Sequence, residues 1–149
     1  MSIEQMTGRI IRGVGGLYTI RAEGGKEYVL RARGRFRREG MKPLAGDKVL
    51  FTPGKGEEHG WIDEILPRTS KSLRPPVANI SLQILVIAPE PQPDLLLIDR
   101  LLVHAAQSRF LALLCVNNCD LDATLAADIA SQYVEAGLAV LSRSAAPGN

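Results

Sequence analysis

The tetrad "NNCD", Asn117 to Asp120, holds residue types that could do specific chemistry. Guanine presents two N–H donors on its Watson–Crick edge, and one carboxylate accepts both. Adenine lacks that pair and would leave a buried carboxylate unsatisfied, which is costly. Asp120 is the residue for this task, with Asn117 tying loop and base together. The same residues also suit a polar loop that caps the next helix, because Asn and Asp are common there.

A second stretch, "RARGRFRREG" (Arg31 to Gly40), sets five arginines, one phenylalanine and two glycines around a single glutamate. Glu39 cannot pair with all five, so Arg31, Arg33, Arg35, Arg37 and Arg38 are expected to face water or a polyanion. Guanidinium donors form a fixed fork that suits phosphate. Phe36 offers a flat face on which an unpaired base could stack. A solvated loop with Phe36 packed on the fold is the plainer account. Cys115 and Cys119, the only cysteines, make no disulfide framework. A zinc site would need two more ligands nearby. His59 and His104 are isolated in the sequence, so no metal ligand and no catalytic residue is assigned.

The elements that must carry these residues differ between the two halves. Residues 1–74 hold 15 Lys/Arg against 9 Asp/Glu, and residues 75–149 hold 3 against 7. Such a split points to two modules with different partners. In the first half the apolar period is two. "LYTIRA", "EYVLRAR", "GDKVLFTP" and "GWIDEIL" read as strands, and "GRIIRG" as a weaker one. Turn signals separate them, so a small closed all-β barrel over residues 1–70 is expected, of OB-fold or SH3-like type. The basic stretch then falls between the third and fourth strands as a loop. Residues 71–79, inside "PRTSKSLRPPVAN", read as an extended linker.

From residue 80 onward the pattern becomes strand, helix, strand, helix, strand, a parallel α/β layout. "ISLQILVIA" and "FLALLCV" are near-continuous apolar runs, as in strands covered on both faces. Asp94 and Asp122 are the expected N-caps, and Gly137 the stop of the second helix. "NNCD" then lies at a strand's carboxyl end, where such sheets bind ligands. The longest clean apolar run is "LALLCV", too short for a membrane helix. The start "MSIEQMTGRI" lacks a charged segment followed by an apolar one, so no signal peptide is expected.

Taken together, "RARGRFRREG", "GDKVLF", "GWIDEILPR", "LRPPVANI", "LLLIDRLL" and "LLCVNNCDL" resemble, in order and spacing, the bacterial small-subunit-dependent GTPases. These are circularly permuted GTPases with an N-terminal OB-fold. The resemblance implies cytoplasmic proteins that bind the maturing small ribosomal subunit and its RNA and hydrolyse GTP to GDP late in assembly. It further implies Mg²⁺ with the nucleotide and a structural Zn²⁺ in the intact member. The family's guanine motif is Asn-Lys-x-Asp, with a Ser-Ala pair after the next strand. Asn117 and Asp120 match its ends, and Ser144 and Ala145 match the pair, whose backbone N–H would meet guanine O6. Asn118 stands where the family has Lys, so weaker nucleotide binding with guanine preference retained is expected.

No G-x-x-x-x-G-K-[ST] occurs in the 149 residues, nor an Asp-x-x-Gly switch after the purine motifs. The expectation is a fragment or shortened product whose residues 80–149 form the guanine-recognition half of a GTPase domain. It should be inactive by itself and should bind neither nucleotide nor metal firmly. The alternative is a non-catalytic RNA-binding barrel joined to a degenerate α/β scaffold. A sheet lacking its other strands is expected to be poorly ordered or to pair with a second copy.

Overall fold

The computed structural model describes residues 4–144. The chain divides into two compact units, the first ending at Ile80 and the second starting at Ser81.

In the first unit, β1 (Met6–Val14), β2 (Leu17–Ala22), β3 (Glu27–Ala32), β4 (Lys48–Thr52) and β5 (Gly60–Ile65) close a barrel in the order β1-β2-β3-β5-β4. All pairs are antiparallel except β3 with β5. A short helix, α1 (Gly34–Arg38), sits between β3 and β4. Five strands, this closure and a helix at that point make it an OB-fold rather than the SH3-like alternative. Period-two alternation explains the interior: Ile10, Ile20, Leu30, Val49, Phe51 and Ile62 point inward and are almost fully buried. Each such side chain contributes about 1.5–3 kcal/mol by leaving water.

The basic stretch is therefore not a loop. Arg31 and Ala32 end β3, and residues 34–38 wind into α1. Phe36 is only 4% exposed and belongs to the barrel core, with Arg35 over its ring. That corrects its candidacy as a stacking face: a ring enclosed by the core cannot meet a base.

Residues 71–79 also differ from a plain linker. They carry a hairpin of β6 (Lys71–Leu73) and β7 (Pro76–Ala78), fastened to the barrel by side chains. The Asn79 side chain accepts from Thr69 N at 2.8 Å and donates to Gly46 O at 2.9 Å. Gly46 has φ 90°, and a Cβ there would lie 2.0 Å from the Ala78 carbonyl, so only glycine fits. Fully buried Asp47 accepts from Arg68 Nε and Nη2 at 2.7 and 2.8 Å and from Leu44 N at 2.8 Å.

The second unit has β8 (Leu82–Ile87), α2 (Leu95–Gln107), β9 (Leu111–Val116), α3 (Ala123–Glu135) and β10 (Ala139–Ser142). The strands form a parallel sheet in the order β10-β9-β8. Asp94 and Asp122 accept from Leu97 N and Leu125 N as N-caps, and Gly137, at φ 83°, follows the end of α3. Ile98, Leu114, Val116, Ala126, Ile129 and Tyr133 form the core. Tyr133 Oη donates to Asp99 at 2.8 Å, linking α3 to α2. Burial and this bond push the Tyr133 pKa up to about 12.

Among the described residues, the coverage on both faces expected from the apolar runs is not found. Leu82, Ile84, Val86, Leu111 and Leu141 are 46–73% exposed. Both helices pack on the face of Leu85, Leu114 and Val116, and no described element of this unit packs on the opposite face.

Candidate functional site

The tetrad lies at the carboxyl end of β9. Backbone bonds tie it to both neighbouring strands. Asn117 N donates to Ile87 O at 2.8 Å, Arg143 N to Val116 O at 2.9 Å, and Cys119 N to Arg143 O at 3.2 Å. The loop is thereby held against the segment leaving β10. Ser144 Oγ donates to Asp120 Oδ1 at 2.6 Å, so residues 24 apart in sequence meet. Asp120 is exposed, while Asn117 and Asn118 are half-buried. Asn118 adopts φ 52°, a left-handed conformation that Asn tolerates better than most residues. Asp122, not Asp120, caps α3, which removes the helix-capping account of Asp120. Ala145 lies outside the described residues.

The arginines fall into two groups. Arg33 is paired: its Nη2 and Nε reach Asp63 Oδ1 at 2.7 Å, and Arg35 donates to the Asp63 backbone oxygen. Burial alone would raise the Asp63 pKa. The Thr52 hydroxyl and the Arg33 guanidinium outweigh it and hold the carboxyl below its ordinary value. Counting only Glu39 as a partner therefore overstated the free charge, because Asp63 comes from a strand 30 residues away. Arg31, Arg37 and Arg38 are exposed, with no ion pair among the described residues. Sequence reasoning also passed over Trp61, which is 41% exposed. The alternation of "GWIDEIL" could have found it, since an inward Ile62 forces Trp61 outward.

Among the described residues no group of three or more His, Cys, Asp or Glu could hold a metal ion. These residues do not fit the zinc site that the intact family implies.

Comparison with known proteins bears on the family and the fold. The RsgA N-terminal domain family matches residues 7–62, and the RsgA GTPase family matches residues 65–149. The chain belongs to the RsgA family. The small ribosomal subunit biogenesis GTPase RsgA of Ruminiclostridium cellulolyticum is 40% identical over 137 residues, covering 90% of this chain and 45% of that protein. The RsgA of Caldanaerobacter subterraneus is 37% identical, covering 80% of this chain and 40% of that protein. The chain thus spans less than half the length of these curated relatives. Among solved structures, YloQ, described as a circularly permuted GTPase, aligns at TM-score 0.74 and 29% identity. YjeQ from Thermotoga maritima aligns at 0.76 and 25%. Each alignment covers 95% of this chain and 52% of the other. The RsgA resemblance carried by the sequence motifs, and the barrel-plus-parallel-sheet architecture, are both borne out.

Proposed function

We propose that this chain is the RNA-binding and guanine-reading portion of a GTPase that acts in late maturation of the small ribosomal subunit in the cytoplasm. The observation that carries the proposal is the meeting of Asp120 with Ser144 at the carboxyl ends of β9 and β10. The family's purine motif needs these two segments together. In this reading Asp120 accepts the two guanine N–H donors and Asn117 braces the loop. Ser144 orients Asp120, and the Ala145 backbone N–H meets O6. Asn118 supplies less apolar contact than a lysine stem, and no charge. On the barrel, Arg31, Arg37 and Arg38 contact RNA phosphates, with Arg33 and Arg35 fixed against Asp63.

GTP and Mg²⁺ belong to the intact protein. The 149 residues contain no phosphate-binding glycine loop, so the chain alone should not turn over GTP. That absence favours a second reading for the isolated chain, a non-catalytic RNA-binding module. GTP hydrolysis with and without small subunits, on this chain and on any longer product of its gene, separates the two. The first reading expects subunit-stimulated hydrolysis by the longer product; none in any form would leave the second.

RNA binding is tested by salt dependence. The log–log slope should be roughly −0.7 to −0.9 per neutralised phosphate, so joint Arg37→Ala and Arg38→Ala should flatten it by about 1.5. An unchanged slope would remove α1 from the interface. No described helix is long and apolar enough to cross a membrane. The bare sheet face and the unpaired edge of β8 support self-association of this chain.

A further inference from the structure

The chain's only tryptophan stands on the outer surface of the barrel. Trp61 of β5 is paired with Arg31 of β3, and the Arg33 guanidinium lies 5.7 Å from its ring centroid. Asp63 holds that guanidinium in place. Beside the ring opens a cavity of about 520 Å³, lined by Arg31, Glu57, Glu58, His59 and Trp61. Its size is in the roughly 300–1,000 Å³ range of small-ligand sites. The turn that forms its wall is folded back tightly. A Cβ on Gly54 would sit 1.7 Å from the Glu58 carbonyl oxygen, so glycine is required there. The turn thereby presents Glu57 to His59 beside Trp61.

We propose that this cavity receives one unpaired RNA base, stacked on Trp61, and favours bases that carry an amino group. The proposal rests on the RNA-binding reading and deepens it. An indole ring partly open to solvent and backed by a guanidinium is a stacking platform. Glu57 and Glu58 repel phosphate, so the base enters the cavity and the backbone runs on the arginine side. Carboxylates accept hydrogen bonds and donate none. Cytosine, adenine and guanine bring an exocyclic amino group to them. Uracil brings two carbonyl oxygens around a single N–H.

Because Trp61 is the sole tryptophan, its emission reports this site alone. Short oligocytidylate and oligouridylate RNAs are titrated against the 149-residue chain at low salt. Trp61 emission and the anisotropy of end-labelled RNA are both followed. Oligocytidylate should quench Trp61 and bind about threefold to tenfold tighter than oligouridylate, the range for one net hydrogen bond. Trp61→Leu should weaken oligocytidylate binding about fivefold to a hundredfold, the range for loss of one stacked base. Trp61→Phe keeps a ring and should retain most of the affinity, which guards against a folding defect. Joint Glu57→Gln and Glu58→Gln should abolish the preference for cytosine.

Binding seen by anisotropy with unchanged Trp61 emission, and full affinity in Trp61→Leu, would overturn the proposal while leaving RNA binding by α1 intact. A cytosine preference that survives the Gln variants would overturn the base selection. If Trp61→Leu weakens binding to small subunits but not to RNA, the ring meets protein and the proposal fails. No binding to either RNA would remove the RNA reading itself.

Discussion

Asn118 shows how one residue can favour the backbone and disfavour the ligand. At φ 52° it sits where Asn is comfortable and Lys less so. Asn118→Lys should therefore cost the loop less than about 1 kcal/mol of stability. It should also strengthen guanine-nucleotide binding through its longer stem and charge. NMR titration of both proteins with GDP, alongside urea melts, checks the two effects separately. Equal nucleotide affinity would mean that the side chain at 118 does not touch the base. Asp120→Asn replaces an acceptor with a group that also donates, so preference for guanosine over adenosine nucleotides should fall sharply in the same titration.

At the scale of elements, two polar contacts fasten pieces that period and propensity alone leave apart. Asp47 joins the start of β4 to Arg68, beyond the end of β5, and the bond raises the pKa of the Arg68 guanidinium. Asp47→Ala would leave Leu44 N without its acceptor and the guanidinium with the Lys42 carbonyl alone, a loss of about 1–3 kcal/mol in urea unfolding. Tyr133 links α3 to α2 through exposed Asp99, which can rehydrate, so Tyr133→Phe should cost only about 1 kcal/mol. The sign of the pH dependence follows from the raised pKa. The bond's contribution is complete below the phenol's ordinary value of 10.0 and is lost as pH rises through about 12. The two unfolding midpoints should therefore converge above that pH. Asp63 behaves oppositely. Its lowered pKa gives stability that is present above 3.8 and lost as the solution becomes more acidic than that.

At the scale of the whole molecule, the described residues of the second unit leave one sheet face uncovered. Light scattering of the chain should show concentration-dependent association. Val86→Glu, on the bare face at 65% exposure, should shift it toward monomer without unfolding the unit. A monomer at all concentrations would show that this face does not need a cover. The barrel of the first unit buries its apolar strands on themselves and closes its own sheet edges, so that unit should stay soluble when expressed alone.

The sequence by itself determined the five barrel strands and the strand–helix order of the second unit, because period and capping are local, but not α1 or the β6–β7 hairpin. The period-two strands, the Asp94 and Asp122 caps and the stop at Gly137 all depend on near neighbours in the chain. The motif spacing determined the family for the same reason: it is written along the chain. Tertiary structure decided what each surface residue is free to do. It enclosed Phe36 in the core, paired Arg33 with Asp63, set Trp61 on the outer face, and released Asp120 from capping to meet Ser144. It also placed both described helices of the second unit on one face of an apolar sheet, leaving Ile84, Val86 and Leu111 of the other exposed. Burial and charge pairing depend on residues tens of positions apart, and their proximity exists only once the chain has folded.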